Sequence, residues 1–305
     1  ALQDAGVERI ETDLAEHIIQ LAGDPPSHIV MPAMHKTHEQ VATLFDAKHG
    51  VAPDSHDIPD LVGSARRELR RKFLNADVGI SGANFLIADT GAIVTVTNEG
   101  NSELTCTPPK IHIVTAGIEK IIPGMDHASV FLRLLSRAAI GAEITQYTTF
   151  YNGPKREGDA DGPAQYHIVL VDNHRTEMLG SDLQPMLRCI RCGACMNHCP
   201  VYSAVGGHAY GAVYPGPMGS VLTPALSSLK AAKDLPNACT LNGRCREVCP
   251  VNIPLTDMLR NLRARQWDAR LTPPVAKVAL RGWGFVARRP RLYHLVAGLA
   301  VHGMR

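Results

Sequence analysis

The spacing of cysteines between residues 189 and 249 constrains this chain more than any other feature. The first run, Cys189-Ile-Arg-Cys192-Gly-Ala-Cys195-Met-Asn-His-Cys199-Pro200, reads C-x2-C-x2-C-x3-C-P. That spacing wraps a backbone around an iron–sulfur core, because two intervening residues let consecutive thiolates turn inward. A second run, Cys239-Thr-Leu-Asn242-Gly-Arg-Cys245-Arg-Glu-Val-Cys249-Pro250, follows the same template with Asn242 in place of its second cysteine. Seven of the eight cysteines fall in these two runs, and Cys106 stands apart.

In two-cluster ferredoxins the fourth cysteine of each run ligates the other cluster. The pattern therefore assigns Cys189, Cys192, Cys195 and Cys249 to one four-iron cluster. Cys239, Cys245 and Cys199 fall to a second, with Asn242 at the missing ligand position. That second site takes either a three-iron cluster or a four-iron cluster with water or Asn242 at one iron. Zinc is a poorer reading, since a zinc site has no use for a third cysteine at the same short spacing. A disulfide framework is poorer still, because a chain of 305 residues buries a core without staples. Cys106 reads as a small packing residue beside a strand end.

The length suggests about two domains. Net charge is only +2 and aromatic content 5%, so nothing points to a nucleic-acid surface. The longest apolar runs, such as Leu295–Val301, are too short to span a membrane. The chain opens Ala-Leu-Gln-Asp without methionine and reads as starting inside a domain.

Residues 1–178 alternate helical and strand periods. Helices are expected after Asp13, with Glu16 completing a capping box, after Thr37, over 64–75 with Leu69, Phe73 and Leu74 on one side, and over 127–140. Strands are expected at 28–33, 77–81, 84–89, 92–97, 111–116 and 166–172. This alternation argues an α/β layered domain with a mostly parallel sheet. The polar loop over 155–163 reads as joining two strands of that sheet. A boundary near 179–182 leads into a cysteine-rich domain over 179–265, where Gly216–Gly219 reads as a turn and Leu255, Met258, Leu259 and Leu262 share a helix face after Pro254. A basic helical segment, 266–305, closes the chain. From Arg260 to Arg305 there are ten Lys or Arg and one Asp, with Trp267, Trp283 and Phe285 available as anchors for a partner or an anionic membrane surface.

No phosphate-binding loop and no G-x-G-x-x-G are present. Open α/β sheets bind ligands at the carboxyl ends of their strands, so the polar turn after the strand at 92–97 makes Asn98, Glu99 and Asn101 a candidate small-molecule site. Lys120 and the histidines His28, His35, His38 and His112 are weaker candidates, more often structural.

Several stretches carry a family resemblance: Glu11-Thr-Asp-Leu-Ala-Glu, Pro25-Pro-Ser-His-Ile-Val, His35-Lys-Thr, the segment from Lys72 to Phe85, Asn98-Glu-Gly-Asn and the order of the cysteine runs. In these the chain resembles the lactate-utilisation protein B family across essentially its whole length. The resemblance implies an amino-terminal LUD domain, similar to the ribose-5-phosphate isomerase and CoA-transferase α/β fold, followed by a mostly helical two-cluster ferredoxin domain. It implies more sequence on both sides of this chain. It also implies a role in oxidising L-lactate to pyruvate, with a cysteine-rich iron–sulfur protein and a small LUD-only protein as partners. The setting it implies is cytoplasmic, with peripheral contact at the inner face of the membrane as the alternative. Asn242 departs from the family, whose second run normally carries all four cysteines. The expected function is therefore electron transfer within an L-lactate-oxidising complex. Alternatives are a complex acting on glycolate or another 2-hydroxy acid, and a cluster-dependent redox or iron sensor whose LUD domain binds a small molecule. Arg188, Arg191, Arg244 and Arg246 are expected to raise the cluster potentials by offsetting negative charge.

Overall fold

A computed structural model describes residues 2–50 and 53–303. Helices open the chain. Asp13 caps α1 (Leu14–Ala22) by accepting from the Ala15 amide at 3.0 Å. Glu16 does not complete a capping box; burial, and then the adjacent Asp13 carboxyl, push its own carboxyl up to about 8. Thr37 does open α2 (His38–Lys48) with the full reciprocal box to Gln40. In α3 (Ile58–Asn75) Leu61, Ala65, Leu69 and Phe73 recur every fourth residue and are buried. Leu74, expected on that face, lies roughly 100° further round the helix and is 68% exposed.

The segment at 28–33 is not a strand. Pro25, Pro26 and Pro32 remove amide donors, and the His28 Nδ1 accepts from the Val30 and Met31 amides at 3.0 and 3.1 Å. Ser27 closes the loop through its amide and its hydroxyl, both donating to the Pro32 carbonyl.

Seven strands follow: β1 (Val78–Ser81), β2 (Phe85–Ile87), β3 (Ile93–Thr97), β4 (Ile111–Gly117), β5 (Ile121–Ile122), β6 (Tyr147–Tyr151) and β7 (Gln165–Val171). Helix α4 (Asn101–Cys106) follows β3, and α5 (Met125–Ile140) follows β5. The strands form two sheets rather than the one mostly parallel sheet expected. β1, β4 and β7 make a parallel sheet in the order β1-β4-β7. The other sheet, β5-β2-β3-β6, is mixed. Its β2–β3 connection is a tight turn with Gly91 at φ 71, too short for a parallel crossover. The polar loop over 155–163 therefore runs between β6 and β7 of different sheets. Cys106 ends α4 rather than a strand and is fully buried.

Phe85, Ile87 and Val94 pack on Ala128 and Leu135 of α5, and the same core continues into Ile190, Cys192 and Ala194 of the first cysteine run. The helical half comprises α6 (Ala194–Asn197), α7 (Pro200–Val205), α8 (Gly216–Leu226), α9 (Arg244–Glu247) and α10 (Leu255–Asp268). Leu255, Met258, Leu259 and Leu262 share the buried face of α10 as expected, against Met218, Val221 and Leu222 of α8. Gly216–Gly219, expected as a turn, is the first turn of α8; a Cβ on Gly219 would overlap the Tyr214 carbonyl. The basic segment forms α11 (Pro274–Ala287) and α12 (Pro290–Gly303), neither with a buried residue. Trp283 and Phe285 are exposed, while Trp267 lies under the Lys277 ammonium, 5.3 Å from the ring centre. Among the described residues no helix is long and apolar enough to cross a membrane.

Candidate metal centres and an adjoining cavity

The two cysteine runs fold alike despite the substitution at Asn242. In the first, Arg191 and Gly193 take left-handed φ values of 63 and 77, and α6 begins at the next residue. In the second, Leu241 and Gly243 take φ 58 and 88 at the same offsets, and α9 begins at the next residue. The two left-handed residues reverse the chain twice within five positions, which turns successive side chains toward one point.

Cys189, Cys192 and Cys195 of the first run and Cys249 of the second line one small cavity. Apart from the cysteines and Arg191 its walls are mostly apolar: Ile29, Ile190, Met218, Val251, Ile253 and Leu255. The Ile253 amide donates to the Cys249 sulfur at 3.4 Å. Burial pushes the Cys192 thiol up and Cys195 well above its usual range, so free thiolates are disfavoured there without a cation to hold them. Four sulfurs around one mostly apolar pocket, with an amide directed at the Cys249 sulfur, is a donor set that fits an iron–sulfur core.

Cys199, Cys239 and Cys245 form a second group of electrostatic neighbours, and burial pushes the Cys245 thiol up to about 11. Amides of Tyr202 and Leu241 donate to the Cys199 and Cys239 sulfurs at 3.5 and 3.3 Å. The Tyr210 ring is buried with its hydroxyl beside Cys199 and Cys239. This donor set is one thiol short. Asn242 Oδ1 accepts from the Arg244 amide at 3.3 Å, the same two-residue step by which the Cys192 sulfur accepts from the Ala194 amide. Asn242 therefore reproduces the loop without the thiolate, and it is exposed where Cys192 is buried. Cys195 also senses Cys245, so the two groups adjoin. Among the described residues no three His, Cys, Asp or Glu side chains converge as they would around a single metal ion.

The arginines near the cysteines are less free than the sequence suggests. Arg191 pairs with Glu119 at 3.0 Å, Arg244 with Glu247 and Arg246 with Asp257, both at 2.8 Å. Arg188 donates to the Asn252 carbonyl.

A larger cavity of about 670 Å³ opens at the carboxyl ends of the parallel strands β1 and β4. Lys120, Arg175 and Arg191 line it, and Glu119 lies between the two guanidinium groups, 2.6 Å from Arg175. Gly117 permits this approach, because a Cβ there would overlap the Glu119 carboxylate. Arg191 and Ile29 line both this cavity and the one ringed by the four cysteines. Asn98, Glu99 and Asn101 do not line it. Asn98 accepts from the Gln146 amide, Asn101 donates to Asp13, and Glu99 is an exposed residue beside the start of α1, where partial desolvation and the nearby Asp13 carboxyl push its own carboxyl up. Lys120, a weaker candidate from the sequence, lines this cavity, as do Arg175 and Glu119, which no sequence motif singles out. All three lie just beyond strand ends, but the ion pairs that gather them with Arg191 span residues 119 to 191. His28, His35 and His112 hold structure: His28 Nε2 donates to Asn197, His35 lies 2.9 Å from the Ser27 hydroxyl, and His112 Nε2 lies 2.8 Å from the Ser81 hydroxyl, while His38 is exposed.

Residues 2–171 match the LUD domain, and residues 185–253 match the 4Fe-4S dicluster domain. The chain is 47% identical over 294 residues to a protein named lactate utilization protein B from Shouchella clausii, covering 96% of this chain and 62% of that one. It is 45% identical to the protein of that name from Bacillus licheniformis, covering 100% of this chain and 64% of the other. It is 44% identical to an uncharacterized electron transport protein, YkgF, from Escherichia coli, covering 96% and 61%. The chain thus spans about three-fifths of the length of these curated relatives. A crystal structure of a DUF162 family protein from Deinococcus radiodurans is similar at 18% identity and a TM-score of 0.27, covering 51% of this chain and 93% of that one. By the match over residues 2–171, the chain belongs to the LUD domain family, and a 4Fe-4S dicluster domain follows its LUD domain.

Proposed function

We propose that this chain is an iron–sulfur electron-transfer component of a system that oxidises L-lactate to pyruvate. The observation that carries the proposal is the single cavity lined by Cys189, Cys192, Cys195 and Cys249, three cysteines from one run and one from the other. That interleaving belongs to two-cluster ferredoxins. The names of the relatives, lactate utilization protein B and electron transport protein, support the direction of the reading.

In this reading Cys189, Cys192, Cys195 and Cys249 hold a four-iron cluster. Cys199, Cys239 and Cys245 hold a second cluster whose corner at Asn242 has no cysteine. When bound, such clusters accept and release one electron each. The chain's own residues surround the first site with mostly apolar side chains, direct amides at the sulfurs and set the two sites side by side. Oxidising lactate releases two electrons, so two adjoining one-electron sites suit stepwise transfer to an acceptor. The partners proposed are a cysteine-rich iron–sulfur protein and a small LUD-only protein, in the cytoplasm.

Anaerobic iron and sulfide analysis with low-temperature EPR tests the assignment. About seven or eight iron atoms per chain are expected, with about four lost in Cys192→Ser and about three or four in Cys245→Ser. Zinc without iron, or loss of both signals in every cysteine variant but full retention in none, would refute two independent sites. Addition of L-lactate with both partners should reduce the clusters. Reduction by glycolate but not by lactate would reassign the substrate.

A further inference from the structure

We propose that the cavity at the carboxyl ends of β1 and β4 binds a small organic carboxylate, anchored by Lys120 and Arg175, and that Arg191 links its occupancy to the cluster held by Cys189, Cys192, Cys195 and Cys249. The proposal deepens the electron-transfer reading and rests on it for the choice of lactate and pyruvate as ligands.

Position is the first argument. β1, β4 and β7 run parallel, so their carboxyl ends share one edge of the sheet, where open α/β sheets bind ligands. Residues 82–84 leave β1 at this edge, Glu119 and Lys120 follow β4, and Arg175 follows β7. A volume of about 670 Å³ is ample for a three-carbon acid.

Charge is the second. Three cations, Lys120, Arg175 and Arg191, face one carboxylate, Glu119, leaving two positive charges in excess. Arg175 and Glu119 have side chains only 8% and 4% exposed, so this excess is poorly screened by water. Lys120 has no hydrogen-bond or ion-pair partner among the described residues. The other charges on the cavity wall are satisfied nearby: Arg9 by Glu11, and Asp24 by Lys36 and His35. Glu16 adds a carboxyl oxygen that is buried and without a hydrogen-bond partner. Burial and the adjacent Asp13 carboxyl raise its affinity for a proton, so at neutral pH Glu16 adds no charge of its own to the wall.

The link to the cluster is the third. Arg191 sits between Cys189 and Cys192, and its guanidinium is held by Glu119, by the face of Tyr214 at 4.9 Å and by the Met218 sulfur. It lines both cavities. An anion that draws on this guanidinium alters the field at the cluster.

The test is calorimetric titration of the anaerobic, cluster-loaded chain with sodium pyruvate and sodium L-lactate at low salt. 1,2-Propanediol, which lacks the carboxylate, is the control. Saturable binding of the acids and none of the diol is expected. Lys120→Met should weaken binding at least tenfold while the iron content stays unchanged. Arg175→Met should do the same where it folds; Lys120→Met carries the test if it does not. Pyruvate should also shift the EPR spectrum of the reduced first cluster, and Arg191→Gln should abolish the shift. Absence of saturable binding, binding no tighter than that of inorganic phosphate, or binding untouched by Lys120→Met would overturn the proposal. A potential shift in Lys120→Met without ligand binding in the unmodified chain would assign Lys120 to cluster charge alone, which also overturns it. Lactate reducing the clusters through the partners while the chain alone binds no acid sinks only this inference. Acid binding without reduction in any mixture sinks only the electron-transfer reading.

Discussion

Asn242→Cys should convert the second site into a four-cysteine site at little cost to the fold. The loops at 189–197 and 239–247 already match: φ is 63 at Arg191 and 58 at Leu241, 77 at Gly193 and 88 at Gly243, with a helix starting at the following residue in each. A cysteine at 242 therefore meets the same backbone conformation that directs Cys192 inward, so the main chain need not rearrange. Asn242 is exposed, so no packing is lost. The lost interaction is the bond from the Arg244 amide to Asn242 Oδ1, worth about 1 kcal/mol and partly replaced by sulfur as at Cys192. For a chain of this size the apparent Tm should fall by no more than roughly 2–4 °C before the gain from an added ligand. The functional change is larger. The unmodified chain should show a three-iron signal on mild oxidation, because the iron at the open corner has no cysteine to retain it. The variant should hold about eight iron atoms per chain and lose that signal. EPR of oxidised samples, paired with iron analysis before and after oxidation, reads this directly. An oxidised unmodified chain without a three-iron signal, and a variant indistinguishable from it, would refute the view that position 242 is the open corner.

Glu119→Ala should cost about 3 kcal/mol in chemical denaturation, since it strands Arg175 and Arg191 in a buried site; Glu119→Gln combined with Arg175→Met should cost less than the single truncation, and additive losses would argue against a coupled pair. Burial holds the His17 and His112 rings neutral, pulling each from 6.5 to about 4. The unfolded chain then takes up protons below pH 6.5 that the folded chain refuses until about pH 4. Stability should fall as pH drops through that window, by up to about 2 kcal/mol per ring at pH 5. Denaturation midpoints equal at pH 7 and pH 5 would contradict it, and His112→Leu should flatten the dependence. Gly207→Ala should destabilise by about 2–3 kcal/mol because its Cβ would overlap the Ser27 carbonyl, whereas Gly282→Ala, open on all sides within α11, should be neutral or stabilising in the same thermal scan.

Legibility from sequence followed the range of the interactions. The cysteine runs were readable because their chemistry is local: two or three residues fix each step, and Asn242 announces itself as a break in a short template. Helix starts were readable where a side chain caps its own amides, as Thr37 does, and misread where two carboxyls meet, as Asp13 and Glu16 do. The segment over 28–33 has the composition of a buried strand, but its prolines and the His28 ring fold it as a loop. β6, Tyr-Thr-Thr-Phe-Tyr, has strand composition yet sits between turns without an apolar run to mark it. The division into two sheets depends on which strands pair, and pairing is nonlocal: β1 neighbours β4, not β2. The cavity was invisible for the same reason. Asn98, Glu99 and Asn101 obey the strand-end rule as well as Lys120 does, and only the fold tells which strand ends belong to the parallel sheet.

The same nonlocality bears on how the two halves act. A boundary near 179–182 is sensible in composition, yet the chain crosses it repeatedly in space. The loop from Pro25 to Met34 is stitched to the cysteine half: Ser27 accepts from the Tyr202 hydroxyl at 2.7 Å, His28 donates to Asn197, and the Pro25 carbonyl lies 2.8 Å from the His208 ring. Gly193, in the turn between Cys192 and Cys195, has φ 77, and a Cβ there would lie 3.1 Å from the His28 ring. Glu119, after β4, grips Arg191 inside the first cysteine run, and Cys192 itself packs in the core that holds Phe85 and Val94. A binding event at the edge of the parallel sheet therefore need not travel through a linker or a hinge to reach the cysteines. Arg191 and Ile29, one residue from each half, line both the strand-end cavity and the one ringed by the four cysteines. If a LUD domain were only a mount for a ferredoxin, nothing would require its strand ends to face the cluster loop, nor an unpaired lysine to stand there. The arrangement makes physical sense when what binds at the strand ends and what is held by the cysteines act on one another.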